Sequence, residues 1–114
     1  MQKLGVNTIR VYNLDPSLDH SKCASIFNAA GIYMILDVNS PLPGESINRL
    51  EPWTSYNTDY LNRAFGIIEN FMGFSNTLAF FSANEVINDL STADYNPQYI
   101  RVSSRRHWIG LTRC

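Results

Sequence analysis

The chain has 114 residues, 45% of them apolar and 12% aromatic, which is enough for one small core and too little for a second domain. Nine basic against ten acidic side chains leave a formal charge of −1, so the sequence builds no footprint for a nucleic-acid backbone or an anionic membrane surface. Its longest apolar run, residues 31–36, falls far short of the roughly 20 residues of a membrane span. Residues 1–10 lack the apolar core of a secretory signal, so the sequence is expected to carry no address of its own.

The first predicted element is a buried strand, Asn7-Thr8-Ile9-Arg10-Val11-Tyr12, which is rich in β-branched and aromatic residues and follows a Leu4-Gly5 break. A turn over residues 13–16 leads to a helix from about His20 to Ala30, capped by Asp19 and closed by Gly31, with Cys23, Ile26, Phe27 and Ala30 at helical spacing. Residues 32–38 form a continuous apolar run that meets Asp37 near its end, the pattern of a strand buried on both faces of a parallel sheet. A long excursion over residues 39–58 holds three prolines together with Trp53 and Tyr56, and segments of that length usually carry function.

A second amphipathic helix follows over residues 59–74, with Tyr60, Ala64, Ile67, Ile68 and Phe71 on one face and its end near Gly73. Thr77-Leu78-Ala79-Phe80-Phe81 is then a third buried strand that delivers Ser82-Ala83-Asn84-Glu85 at its carboxyl end. Alternation of three strands with two helices is an α/β pattern with parallel pairing, common to barrels and doubly wound sheets. No glycine-rich phosphate loop follows any strand, which tilts the choice toward a barrel. After Ile100 the composition shifts: residues 101–114 hold four of the nine basic residues, no acid and no clear period.

In α/β barrels the active site lies at the carboxyl ends of the strands, so Tyr12, Asp37 with Asn39, and Asn84 with Glu85 are the residues to weigh. An Asn-Glu pair directly after a buried strand suits a retaining glycosidase, where the Glu protonates the leaving oxygen and the Asn amide holds the sugar's 2-hydroxyl. Half-shielding of Glu85 by aromatic neighbours would raise its pKa and suit it to that task. The dipeptide alone fits a loop start or a cap of the following turn more readily. Asp37 is either a catalytic base or ligand, or a group that orients a neighbour. Tyr12 either donates to a sugar or is a core aromatic with its tip at the rim.

In the excursion, Asn39, Glu45, Ser46, Asn48 and Arg49 offer hydrogen bonds. Trp53 and Tyr56 either stack on pyranose rings or anchor the loop, and anchoring is the simpler role for Trp53. Asp15 stabilises the turn before Pro16. His20 and His107 have no metal-ligand spacing, so neither a metal nor another cofactor is expected. Cys23 and Cys114 are far apart and a bridge between them is not expected.

Four motifs then stand out together: Leu4-Gly5-Val6-Asn7-Thr8-Ile9-Arg10-Val11-Tyr12, Leu36-Asp37-Val38-Asn39-Ser40-Pro41, Ser46-Ile47-Asn48-Arg49 and Phe80-Phe81-Ser82-Ala83-Asn84-Glu85-Val86-Ile87-Asn88-Asp89. In this order they closely resemble the fungal cell-wall β-1,3-glucanosyltransferases of glycoside hydrolase family 72, over nearly the whole stretch to Ile100. The resemblance implies strands 2 to 4 of a (β/α)₈ barrel in a secreted enzyme held at the cell surface by a glycolipid anchor. It implies an activity that cuts an internal β-1,3-glucan bond and transfers the new reducing end to another glucan chain. By the same resemblance Tyr12 matches a donor-sugar tyrosine, residues 39–49 with Asn39, Ser46, Asn48 and Arg49 a loop lining the donor subsites, Asn84 the helper asparagine and Glu85 the acid/base. Cys23 matches a half-cystine of the family.

Departures from the family pattern set further expectations. The relatives' partner for Cys23, their secretion signal and their first barrel strand lie upstream of the residues that match here. Their nucleophilic glutamate belongs to a later strand, and no residue after Glu85 is a glutamate. Double displacement needs two carboxyl groups about 5 Å apart, so these residues alone are expected to bind glucan without turning it over, or to be inert. Residues 1–100 therefore read as a fragment of a glycosidase-type catalytic domain and residues 101–114 as a divergent basic tail.

Overall fold

The computed structural model describes residues 1–111, apart from the side chains of Gln2 and of residues 104–111. Cys114 and the side chain of His107 lie outside the described residues. Three strands, β1 (Thr8–Val11), β2 (Tyr33–Asp37) and β3 (Thr77–Phe81), form a parallel sheet in the order β1-β2-β3. Helices α1 (Ser21–Ala29) and α2 (Thr58–Phe71) connect them, and α3 (Leu90–Ala93) and α4 (Asn96–Leu111) follow β3. The α/β alternation with parallel pairing expected from the sequence is thus present.

Each connection has a local cause. At the end of α1, Gly31 adopts φ +68, its N–H bonds the Asn28 carbonyl at 3.0 Å and the Ile32 N–H bonds the Phe27 carbonyl at 2.9 Å, the paired bonds that stop a helix at a left-handed glycine. The start of α1 differs from expectation. His20 occupies the cap position without a capping side-chain bond, and the Asp19 carboxylate accepts from the Ser21 N–H at 2.9 Å, which holds it below the usual carboxylate range. Helix α2 begins one residue earlier than predicted because Asn57 caps it by accepting from the Tyr60 N–H.

Periodicity places the core. Met34 and Leu36 of β2, with Val38 just beyond it, alternate onto one sheet face and meet Ala24 of α1 and Ala64, Ile67, Ile68 and Phe71 of α2. The opposite face is not covered to the same degree: Tyr33 is 49% exposed, and Ile35 is half-buried. The apolar run of β2 was expected to be buried on both faces, but both connecting helices pack on one. A second, smaller cluster of Ile47, Tyr60 and Val86, with Tyr56 and Ile100 against it, lies under the long excursion.

The change of composition at Ile100 is not a break in the backbone, because α4 passes through that position without interruption. The sequence shows no clear period there. A helix needs only that its inward positions fit, and Asn96, Ile100 and Ser103, at i, i+4 and i+7, supply that face with mostly polar groups that a hydrophobic pattern cannot register.

Candidate active site

Parallel pairing in register, with Val11 beside Leu36 and Leu36 beside Phe80, brings the carboxyl ends of all three strands to one edge. There they surround an open cleft of about 580 Å³. Tyr12, Asn39, Ser46, Arg49, Asn84 and Glu85 all line it, together with Arg10, Asn13, Asp37, Ser40 and Pro41. Asn48 does not. Its Oδ1 accepts from the Leu50 N–H at 3.0 Å and the Glu51 N–H at 3.3 Å, so its side chain closes a turn of the excursion instead of facing the cleft.

Arg10 organises the floor. Its Nε–H donates to Asp37 Oδ1 at 2.9 Å and its Nη2 donates both to Asp37 Oδ2 at 2.6 Å and to Asn84 Oδ1 at 2.7 Å. The guanidinium carbon lies 4.4 Å from the ring centroid of Phe81 and 5.8 Å from that of Tyr12. Asp37 is 3% exposed, and a carboxylate so buried requires such a partner. The hydrogen bond to Asp37 first, and then its charge with Tyr12 and Glu85, raise the Arg10 pKa above its ordinary value, so the cation is permanent. Of the two readings open for Asp37, orienting a neighbour is the one this geometry fits.

The consequence falls on Asn84. An arginine only donates, so Asn84 must present its carbonyl oxygen to Arg10, and its NH₂ group is turned away. That amide nitrogen has no protein hydrogen-bond partner among the described residues. Glu85 follows with φ +49, a left-handed backbone that costs a non-glycine residue about 1–2 kcal/mol. Glu85 is exposed, and the aromatic half-shield expected for it is not built by the described residues.

The remaining wall is held from behind. Asn39 is 3% exposed, and its amide bridges the backbone beyond β3, donating to the Ser82 carbonyl at 3.1 Å and accepting from the Ala83 N–H at 3.2 Å. Ser40 donates to Glu45, whose carboxylate pairs with Arg63 of α2 at 3.0 Å. Trp53 meets Tyr95 as a tilted ring pair, at 6.4 Å between centroids, and the Tyr56 hydroxyl donates to the Tyr99 carbonyl. Both loop aromatics therefore anchor the excursion and lie outside the cleft lining. Cys23 is an exposed free thiol on α1, and Asp15 accepts from the Ser17 N–H and hydroxyl to form the turn beside Pro16.

Sequence reasoning did not single out Arg10 or Asn13 as site residues. The signal for Arg10 was a lone charge inside a β-branched strand, two positions before Tyr12 and so on the same face. Asn13 has φ +61, which a side chain reveals only through the tolerance of asparagine for that conformation.

Comparison with known proteins points one way. The chain is 61% identical over 105 residues to the 1,3-beta-glucanosyltransferase gel2 of Aspergillus fumigatus, covering 92% of this chain and 22% of that protein. It is 49% identical over 111 residues to the 1,3-beta-glucanosyltransferase GAS4 of Saccharomyces cerevisiae, covering 96% of this chain and 24% of that one. Among solved structures it is similar to Saccharomyces cerevisiae Gas2p in complex with laminaripentaose, with a TM-score of 0.87 and 33% identity over 99% of this chain and 25% of that chain. The chain thus spans about a quarter of the length of these relatives. A family model described as glucanosyltransferase matches residues 1–109, and with these relatives it shows that the chain belongs to the glucanosyltransferases of glycoside hydrolase family 72.

Proposed function

We propose that this segment is the acid/base part of a 1,3-β-glucanosyltransferase, forming strands 2 to 4 of a (β/α)₈ barrel. Glu85 is its proton donor and acceptor. The observation that carries this reading is the placement of Asn84 and Glu85 after β3, in one cleft with Tyr12 and Arg49 and with the Asn84 amide oriented by Arg10. The Asn84 NH₂ then holds the 2-hydroxyl of a donor glucose while Glu85 protonates the leaving glycosidic oxygen and later deprotonates the acceptor hydroxyl. Tyr12, Ser46 and Arg49 take the neighbouring sugar hydroxyls. Asn39 supports the cleft through the backbone of Ser82 and Ala83. Asn48, although expected to touch sugar, shapes the loop that carries Arg49.

The substrate proposed is β-1,3-glucan, in keeping with the laminaripentaose complex of the similar Gas2p. Double displacement also needs a nucleophilic carboxylate about 5 Å from Glu85. Asp37 is unsuited to that role, since both of its oxygens are engaged by Arg10. The nucleophile therefore comes from the part of the full-length protein corresponding to the other three quarters of its relatives. Residues 1–114 alone would hold glucan without turnover. In the intact protein the site of action is the cell surface or wall, with membrane attachment through a lipid anchor.

The test is Glu85→Gln in the full-length protein, assayed for transfer between laminari-oligosaccharides. The amide cannot donate the proton, so transfer falls about 10²–10⁴-fold while the melting temperature and oligosaccharide binding stay unchanged. Transfer at the parent rate refutes the acid/base assignment.

A further inference from the structure

Three segments distant in sequence meet on one face of α4 beneath the cleft. Asn96 is 0% exposed, and its Nδ2 donates to two backbone carbonyls at once, Arg49 at 3.0 Å and Val86 at 3.2 Å. Two turns on, Ser103 Oγ donates to the Ser82 carbonyl at 3.4 Å and lies 3.3 Å from the Tyr60 hydroxyl. Between them Ile100 packs on the cluster of Ile47, Tyr60 and Val86. Every tethered carbonyl belongs to the cleft wall or adjoins it. Arg49 lines the cleft itself, Val86 directly follows Glu85, and Ser82 lies two residues before Asn84.

We propose that Asn96, assisted by Ser103, is a positioning residue that sets the distance between Arg49 and Glu85 by tying both backbones to one helix. The inference rests on the acid/base reading of Glu85 above. A primary amide is suited to this junction because one nitrogen supplies two protons to two acceptors, whereas a serine in its place would supply one. The Asn96 oxygen is buried with no partner among the described residues, a cost that an apolar residue would avoid, so the two donors are what the position uses. Without them the buried Val86 carbonyl and the part-buried Arg49 carbonyl lose this partner, and the excursion bearing Arg49 separates from the strand end bearing Glu85. Because Glu85 already holds φ +49, its direction depends on restraint of the residues on either side.

The experiment is Asn96→Ala in the full-length protein, with kcat, KM, the pH profile of kcat and the melting temperature measured together. The expected result is a higher KM from the displaced Arg49, a lower kcat from the displaced Glu85, and kcat/KM down by about 10–100-fold. The pH profile of kcat shifts with them. The same substitution in a Glu85→Gln background is expected to weaken laminaripentaose binding about tenfold, by the same loss of alignment. This second arm needs no turnover, so it judges the tether even if Glu85→Gln proves active and the acid/base reading falls. Unchanged kcat/KM and pH profile per folded molecule, or unchanged binding in the second arm, would overturn the proposal whatever the loss of melting temperature. Should Asn96→Ala fail to fold, Ser103→Ala takes its place: a several-fold loss of kcat/KM supports the proposal and parent kinetics overturn it.

Discussion

The two clusters of this molecule are built on different principles. Between the sheet and helices α1 and α2, eight buried apolar residues pack together, with further half-buried apolar side chains against them. Under the excursion, among the described residues, the buried apolar cluster is Ile47, Tyr60 and Val86, and buried polar side chains meet it: Ser103 lies 3.3 Å from the Tyr60 hydroxyl and Asn96 donates to the Val86 carbonyl. Apolar contact is non-directional and tolerates small shifts, whereas a hydrogen bond fixes its partner to a few tenths of an ångström. The first cluster therefore supplies stability, and the second supplies the geometry of the cleft above it.

The largest effect separates the two most cleanly. Leu36 is 0% exposed at the middle of the central strand, and Leu36→Ala is expected to lower the stability of the full-length protein by about 2–5 kcal/mol. Chemical denaturation measures the loss, and kinetics on the remaining folded fraction should show KM and kcat close to the parent values. A substantial change in KM would mean that the apolar cluster also sets the site, and the comparison would fail.

A smaller stability effect with a larger functional one is expected at Arg10. Losing one partner of a buried ion pair costs about 3–5 kcal/mol, but the Arg10 side chain is 39% exposed, so Arg10→Met should cost about 1–3 kcal/mol as water reaches Asp37. Transfer should fall further than for Leu36→Ala, because Asn84 loses the donor that fixes its amide. Arg10→Lys restores charge but not the fork that reaches Asp37 and Asn84 together, and is expected to regain stability before activity. Denaturation midpoints set beside transfer rates for the pair of variants check this. Equal recovery of both would mean that Asn84 does not depend on Arg10.

What was legible in the sequence follows the same division. The first cluster announces itself by period: β3 was expected at residues 77–81 and is found there, and Gly31 closes α1 as a glycine after a helical pattern should. The motif resemblance brought out Tyr12, Asn39, Ser46, Arg49, Asn84 and Glu85, which do share one cleft. What escaped was pairing across distance. Arg10 with Asp37, and Asn96 with Arg49 and Val86, join residues 27, 47 and 10 positions apart, and no local pattern encodes such contacts. Asn48, expected among the sugar-binding residues, bonds the backbone of its own loop for a related reason: a short polar side chain in a loop bonds its own backbone as readily as a ligand, and no local pattern tells which.

The smallest effect probes the second cluster by pH. Burial raises the pKa of Tyr60 above its ordinary value of 10.0, an effect partly opposed by the bond with Ser103. A group whose pKa is higher folded than unfolded gives stability that is complete below the unfolded value and is lost as pH rises through the folded one. Near neutrality Tyr60→Phe forfeits the contacts of the hydroxyl with Ser103 and the Asn39 amide, so it should be less stable than the parent by about 0.5–1.5 kcal/mol. Above about pH 10 the parent must leave Tyr60 neutral at a growing cost relative to the unfolded chain, while phenylalanine carries no such linkage. Melting temperatures of the two proteins are therefore expected to converge as pH rises from 9 to 11. A gap that stays constant over that range would show that the Tyr60 hydroxyl is open to water, and that the polar cluster under the cleft is looser than the hydrogen bonds to Ser103 and Asn39 require.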